Sequence, residues 1–153
     1  VGDRRRVEVA LDKGRQLLES LPYPQDPSHH FEVDPAKFDF YAMDTARLVG
    51  DDRMAGGLAD EVLTSSTDWS GRVVAPMRAA EALVTKGVIS ARSGDLEAAV
   101  DYGRRALEGD RQSVPSLVMV SRELGQLIAE RYSGEQEAQE YVEELRALAA
   151  TAA

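Results

Sequence analysis

The apolar positions of the chain recur at helical spacing along almost its whole length. The stretch 76–107 shows this best, because apolar and small residues at i, i+3, i+4 and i+7 predict two amphipathic helices there. Between them, Gly94 suits the left-handed position that ends a helix, and Asp95 suits the cap of the next helix. The pattern therefore predicts a helical hairpin whose helices approach closely at four small residues: Ala80, Gly87, Ala99 and Gly103.

The same spacing continues on both sides of this hairpin. It predicts helices over 4–20 and 35–49, a third after Gly50, and two more after Ser113 and Ser133. No alternating pattern typical of strands occurs, so the predicted class is all-α with about seven helices. The helix over 35–49 is predicted to bury one face: Phe38, Tyr41, Ala42, Thr45, Leu48 and Val49.

Two stretches without helical spacing are predicted to be loops. Residues 21–35 contain four prolines, and each proline disfavours helix in the residue before it. Residues 64–74 form the second loop, in which the side chain of Trp69 is expected to fold back onto the core. A loop as long as the first is unusual in a helical domain and often functional.

The sequence contains an internal repeat with a period of about 40 to 45 residues, which is typical of repeat proteins. The segment VALDKGRQLLE (9–19) aligns with AAVDYGRRALE (98–108), and MAGGLADEVL (54–63) fits the same register. A two-helix unit at this period predicts an α-solenoid of stacked hairpins, with residues 1–153 as a single domain. The first unit then lacks its first helix. The aligned alanines lie at intervals of 45, 44 and 39 residues: Ala10, Ala55, Ala99 and Ala138.

The central hairpin resembles the tetratricopeptide signature. The resemblance departs from the family at Ser90 and Gly103, where aromatic residues are preferred, and the repeat spacing exceeds the family's usual length. Insertions in the loops between units are therefore expected. The matching residues are Gly87, Gly94, Leu96, Ala99 and Ala106.

Three segments of the chain together resemble one class of proteins: YPQDPSHHFEVDPAKFDFYAMD, APMRAAEA and SVPSLVMVSREL. They are similar to the C-terminal helical domain of actinobacterial helix-turn-helix regulators of the Xre-like class. This resemblance implies a tetratricopeptide-like region that senses a ligand or a partner, preceded in the full protein by a DNA-binding domain. The chain starts at Val1 without a methionine or a signal-like apolar run, so it is expected to be a piece of a longer protein.

The composition narrows the classes of partner. The chain has 18 basic and 27 acidic residues, a net charge of −9, which argues against direct nucleic-acid binding by this segment. It contains no cysteine, so disulfides and thiolate chemistry are excluded. No apolar run reaches the roughly 18 to 20 residues of a membrane span. We therefore expect a cytoplasmic protein without a membrane partner.

The resemblance implies a concave groove lined by the first helix of each hairpin, with a peptide, a protein partner or a small effector bound in it. A mixture of arginines, acids and apolar side chains suits a peptide or a small acidic ligand. On this view, Arg47→Ala and Arg92→Ala weaken ligand binding without altering thermal melting. The alternative is that these are ordinary surface and inter-helix ion-pair residues. The groove positions are Phe40, Asp44 and Arg47, then Glu81, Val84, Val88 and Arg92, then Leu124, Ile128 and Arg131.

His29 and His30, the only histidines, lie in the proline-rich loop. Adjacent histidines point apart in an extended chain and no further histidine or cysteine completes a metal site, so we expect no metal and no other cofactor. Hydrogen bonding into the groove is the role considered for them. No catalytic motif occurs, so a binding module is expected rather than an enzyme. The rival is an interaction scaffold or oligomerisation domain without a small ligand, with a homodimer left open.

Overall fold

The computed structural model of the protein describes residues 3–26, 32–109 and 113–151. Within these ranges the only β pairing is an isolated bridge between Thr67 and Val73, so the predicted all-α class is confirmed. None of the described helices is both long and apolar enough to cross a bilayer. The described helices are α1 (Arg4–Glu19), α2 (Pro35–Leu48), α3 (Asp52–Ser65), α4 (Pro76–Ser93), α5 (Leu96–Leu107), α6 (Val114–Arg131) and α7 (Gln136–Thr151).

The helix ends follow local signals in the sequence. Asp34 caps α2, since its Oδ1 accepts a hydrogen bond of 2.7 Å from the backbone N–H of Lys37. Asp95 caps α5 in the same way, with 3.0 Å to the N–H of Ala98. Gly94 ends α4 at φ +97°, a left-handed conformation that residues with a Cβ rarely adopt. These side chains satisfy backbone groups that a helix end otherwise leaves unpaired.

Consecutive helices pack in pairs, and α4 lies at the centre of the packing. The pairs are α2 with α3, α4 with α5, and α6 with α7. Helix α4 also contacts α2, α3 and α6, and α5 contacts both α6 and α7. Helix α1 packs against α2 alone among the described helices. The first helices of the three pairs, α2, α4 and α6, are therefore neighbours with α4 in the middle.

The main core lies among α4, α5, α6 and α7. Close approach depends on small residues: a Cβ added to Gly87 would lie 2.8 Å from Leu124 Cδ2 and 3.2 Å from the carbonyl oxygen of Ala99. A Cβ added to Gly103 would overlap Tyr141 Oη. Ala99 itself is fully buried. The predicted close approach within the hairpin is confirmed for Gly87 and Ala99, whereas Gly103 makes its close contact with α7.

Four apolar residues that the resemblance places in the groove belong to this core instead. They are enclosed because α4 packs against α2, α3, α5 and α6, and α6 packs against α4, α5 and α7. Their assignment to a ligand-facing surface is wrong. The four fully buried residues are Val84, Val88, Leu124 and Ile128.

The buried face of α2 differs from the predicted one. Tyr41 is 61% exposed and Leu48 is 68% exposed, although both were expected inside. Helices α3 and α4 enclose the opposite side of α2, whereas only α1 contacts the side that carries Phe38. Which face of a helix is buried therefore depends on the helices that pack against it, and not only on how apolar the face is. The buried residues of α2 are Lys37, Ala42, Met43, Ala46 and Arg47.

Helix α1 has no buried residue. Gly14 sits against the ring of Phe38, and Arg15 forms an ion pair of 2.8 Å with Asp39. Leu17 is 58% exposed, although it is one of the apolar residues that recur at helical spacing in α1. With a single partner helix, α1 covers only part of its apolar side.

The loop between α3 and α4 does not place Trp69 on the core: the side chain is 98% exposed. Hydrogen bonds within the loop satisfy its backbone. Asp68 Oδ1 accepts from the N–H groups of Ser70 at 2.9 Å and Arg72 at 3.0 Å, and Gly71 has φ +84°. The loop thus has an ordered conformation without using the indole, and the expected burial of Trp69 is wrong.

Candidate functional site

A cavity of ≈ 370 Å³ lies where α2, α4 and α6 meet. Three of the predicted groove residues, Asp44, Arg47 and Glu81, line it from two different helices. Because Glu81 lies 34 positions after Arg47 in the sequence, its convergence with the two α2 residues is a property of the fold. Helix α6 contributes the remaining wall: Met119, Val120, Arg122, Glu123 and Gln126.

Arg47 is the buried charge of this wall, with only 7% of the residue exposed. Its Nη2 pairs with Asp44 Oδ1 one turn earlier, and its Nη1 donates to Thr85 Oγ1 at 3.4 Å. Its Nε lies 3.3 Å from Glu123 Oε2, an ion pair whose alignment is too poor for a hydrogen bond. Since a buried charge is costly unless it is paired, these contacts explain how the guanidinium is tolerated.

Glu123 extends the network to Arg92. Arg92 Nη2 lies 2.9 Å from Glu123 Oε1, and its Nη1 lies 2.6 Å from Asp52 Oδ1 and 3.2 Å from the carbonyl oxygen of Arg47. Arg131 Nη1 donates to the carbonyl oxygen of Arg92 at 2.7 Å. Arg92 and Arg131 therefore connect helices and do not line the cavity wall. Both Arg47 and Arg92 form ion pairs between helices, as in the alternative interpretation of the sequence.

Phe40, the remaining groove candidate on α2, lies outside the cavity. It is half-buried against the small core cluster that contains Met43 and Val62. The guanidinium of Arg78 sits 5.9 Å from its ring centroid, and the Tyr41 ring packs edge-on at 5.4 Å. Phe40 thus joins α2 to its neighbours and is not brought together with Asp44 and Glu81.

Glu81 differs from the other acids of the cavity. Among the described residues it takes part in no ion pair and no side-chain hydrogen bond, although it is half-buried. Burial raises the pKa of its carboxyl, the nearby charge of Asp44 raises it further, and Arg47 partly opposes both. A carboxyl perturbed by burial and a like charge in a cavity is a candidate for ligand contact.

The most important residue that the sequence did not reveal is Glu123. It stands next to Leu124 on α6, and the register taken from the resemblance selected Leu124 instead. A shift of one position along α6 moves the selection from the core to the cavity. The available signal was positional: Glu123 follows Met119 by four residues and therefore shares its face of α6.

A second cavity, of ≈ 650 Å³, lies beside the first along α6, against α7. Its wall is mostly apolar, with Val118, Val142 and Leu145 half-buried and Met119 69% exposed. Met119, Arg122 and Gln126 line both cavities, so the two concave surfaces adjoin along α6. This face has no covering helix among the described elements.

The loop candidates His29 and His30 lie outside the described residues. Within residues 3–26, 32–109 and 113–151, no group of three or more acidic or histidine side chains is arranged to hold a metal ion. Comparison of the chain with protein-family models, curated proteins and solved structures found no match. The cavity between α2, α4 and α6 is therefore described by its own geometry.

Proposed function

We propose that this chain is the effector-sensing module of a transcriptional regulator, and that the cavity between α2, α4 and α6 receives the effector. One observation carries the proposal: Asp44, Arg47 and Glu81, selected by their positions in the resemblance, converge on that cavity. A peptide or a small molecule is the kind of ligand considered, and neither DNA contact nor catalysis is assigned to this chain. The net charge of −9 agrees with DNA contact by a separate domain.

The packing supports a tetratricopeptide-like arrangement as part of this proposal. In a solenoid of helical hairpins, the first helices of successive units lie side by side and line one surface. Helices α2, α4 and α6 are neighbours in this order, and each packs against the helix that follows it. A regulator of this kind would act in the bacterial cytoplasm, where DNA is accessible to it.

A ligand screen against a blocked cavity tests the binding role. Wild-type protein is screened by thermal shift against a panel of metabolites and by selection from a random peptide library. Glu81→Trp fills the cavity from α4 and should abolish binding of the selected ligands. Glu97→Trp, the same change on the exposed face of α5, should leave binding unchanged. Ligands that bind both variants equally would place the site elsewhere and contradict the proposal.

The regulatory role is tested by the coding sequence upstream of Val1. A helix-turn-helix domain in the same reading frame would support the proposal, because the sensing module would then be joined to a DNA-reading domain. A kinase or transporter segment there would contradict it. This observation is independent of the cavity, so the binding role and the regulatory role can fail separately.

The alternative function, an interaction scaffold or a homodimerisation domain, is favoured by one specific observation. The α6–α7 face is concave, mostly apolar and uncovered by any described helix, and Met119 on it is 69% exposed. Sedimentation equilibrium of the wild type and of Val118→Asp distinguishes the cases. A dimer that dissociates in the variant supports the scaffold, whereas a wild-type monomer contradicts homodimerisation.

A further inference from the structure

Two charged side chains of opposite sign lie in the cavity between α2, α4 and α6 without an ionic partner. Glu81 on α4 and Arg122 on α6 take part in no ion pair or side-chain hydrogen bond with another described residue. The other charged side chains of the wall are paired in the network around Arg47, which includes Asp44 and Glu123. The cavity therefore presents one carboxylate and one guanidinium that are engaged in no ion pair, although the charge of Arg47 acts on Glu81 from a longer distance.

These two side chains do not neutralise each other, since they form no ion pair although they line the same cavity. Glu81 is half-buried beside Asp44, and both burial and that like charge raise the pKa of its carboxyl. A cation bound at Glu81 would offset this unfavourable environment. Arg122 is exposed on the α6 wall, and its guanidinium can bind a carboxylate through two parallel hydrogen bonds.

The α6 wall of the cavity also offers apolar contact. Val120 is half-buried and Met119 is 69% exposed. Methionine is flexible and adapts to ligands of different shape. A volume of ≈ 370 Å³ is at the low end of the range of about 300 to 1,000 Å³ for small-molecule pockets. The size favours a small molecule over a segment of polypeptide.

We infer that the effector is a small zwitterion, an amino acid with an apolar carbon chain, whose ammonium group pairs with Glu81 and whose carboxylate pairs with Arg122. Its carbon chain packs against Met119. This inference rests on the proposed function and narrows its ligand class. A purely acidic ligand, one of the two kinds that the sequence suggested beside a peptide, would leave Glu81 unpaired and lie near Asp44.

Four derivatives of one amino acid separate the contributions of charge. L-leucine carries both charges, L-leucine amide only the positive one, N-acetyl-L-leucine only the negative one, and N-acetyl-L-leucine amide none. Each is titrated into protein labelled with ¹³C at the methionine methyl groups, and the shift of the Met119 signal reports occupancy. We expect L-leucine to bind about tenfold more tightly than each singly charged derivative, as expected for one charge-assisted contact.

Two neutralising variants identify the partner of each charge. Glu81→Gln should remove the preference for L-leucine over N-acetyl-L-leucine and keep its preference over L-leucine amide. Arg122→Gln should have the reverse effect. Glu130→Gln and Arg53→Gln change exposed residues outside the cavity and should keep both preferences. Because Arg122 also lines the α6–α7 cavity, the Glu81 variant decides which of the two cavities is occupied.

Equal affinity for the four derivatives, or no shift of the Met119 signal at tens of millimolar L-leucine, would overturn the inference. The proposed function is judged separately by the ligand screen. Ligands from that screen that still depend on Glu81 would leave the sensing role standing while the zwitterion is rejected. If the screen also yields no ligand sensitive to Glu81→Trp, the proposed function fails as well.

Discussion

Arg47 lies where α2, α4 and α6 meet, and its guanidinium contacts one side chain of each of these helices. It contacts Asp44 on its own helix, Thr85 on α4 and Glu123 on α6. An apolar residue of similar volume could stabilise the junction equally well, because desolvating the charges offsets much of their attraction. The pairing does fix the relative position of α2, α4 and α6, and so the shape of the cavity.

We predict that Arg47→Ala lowers the free energy of unfolding by about 2 kcal/mol, since it removes the buried partner of two half-exposed acids. This prediction differs from the expectation drawn from the sequence, in which Arg47→Ala leaves thermal melting unchanged. Urea unfolding measures the effect. Arg105→Ala, which removes an exposed i,i+4 pair with Asp101, serves as the control and should cost less than about 0.5 kcal/mol. A similar cost for the two variants would mean that the Arg47 network is not rigid in solution.

Glu81 makes the free energy of unfolding depend on pH, in a direction that its raised pKa determines. Burial and the charge of Asp44 raise the pKa of the Glu81 carboxyl above its ordinary 4.5, Arg47 opposes them, and Arg122 and Glu123 face the same cavity from α6. A carboxyl with a raised folded-state pKa contributes stability below its unfolded value, and this contribution is lost as the pH rises through the raised value. The ionised form is therefore the less favourable one in the fold.

We predict that Glu81→Gln is more stable than the wild type near pH 7 and that this difference disappears near pH 4, because glutamine carries no charge at either pH. Urea unfolding at the two values measures the difference. Glu130→Gln on the exposed side of α6 should show no such dependence on pH. A wild type that is more stable than Glu81→Gln near pH 7 would show that the carboxylate has a cationic partner in the free protein.

Among the helices, α1 and α4 represent the two extremes of packing. Helix α4 contacts α2, α3, α5 and α6, whereas α1 contacts α2 alone and buries no residue completely. Helices gain most of their stability from tertiary packing of an apolar face, and not from intrinsic propensity. Helix α1 is therefore the least supported of the described helices, and α4 is the one around which the others pack.

We predict that Ala99→Leu destabilises the fold by about 1 to 3 kcal/mol, because the fully buried Ala99 lies where α5 approaches Gly87 of α4. Thermal melting and urea unfolding measure the loss. Ala10→Leu makes the same change on the exposed side of α1 and should be nearly neutral. An unchanged melting temperature for Ala99→Leu would mean that α4 and α5 are not in contact at this point.

Element boundaries could be predicted because their signals are local. Asp34, Gly94 and Asp95 act on backbone groups within a few residues, so the sequence alone locates the start of α2, the end of α4 and the start of α5. Buried faces depend on distant partners. The exposure of Tyr41 and the burial of Arg47 could not be predicted from the pattern of α2, because α3 and α4 cover the less apolar side.

At the scale of the whole molecule, the first helices of three successive pairs enclose the cavity. The sequence predicted three of its residues through the resemblance and missed Glu123, whose partners Arg47 and Arg92 lie 76 and 31 positions away along the chain. Such long-range pairing has no periodic signal. The sequence likewise could not show that Glu81 and Arg122 form no ion pair, because this depends on which partners the other charged residues of the cavity wall find in the fold.

Mapping a bound ligand by NMR tests the central claim, that the cavity between α2, α4 and α6 is the binding site. A ligand from the metabolite and peptide screen is titrated into ¹⁵N-labelled protein, and backbone amide shifts are followed. We expect the largest changes in backbone amide shift around Asp44, Glu81 and Glu123, and we expect these changes to be absent in Glu81→Trp. Shifts confined to the loop at 66–75 or to the α6–α7 face, with none at Glu81, would contradict it.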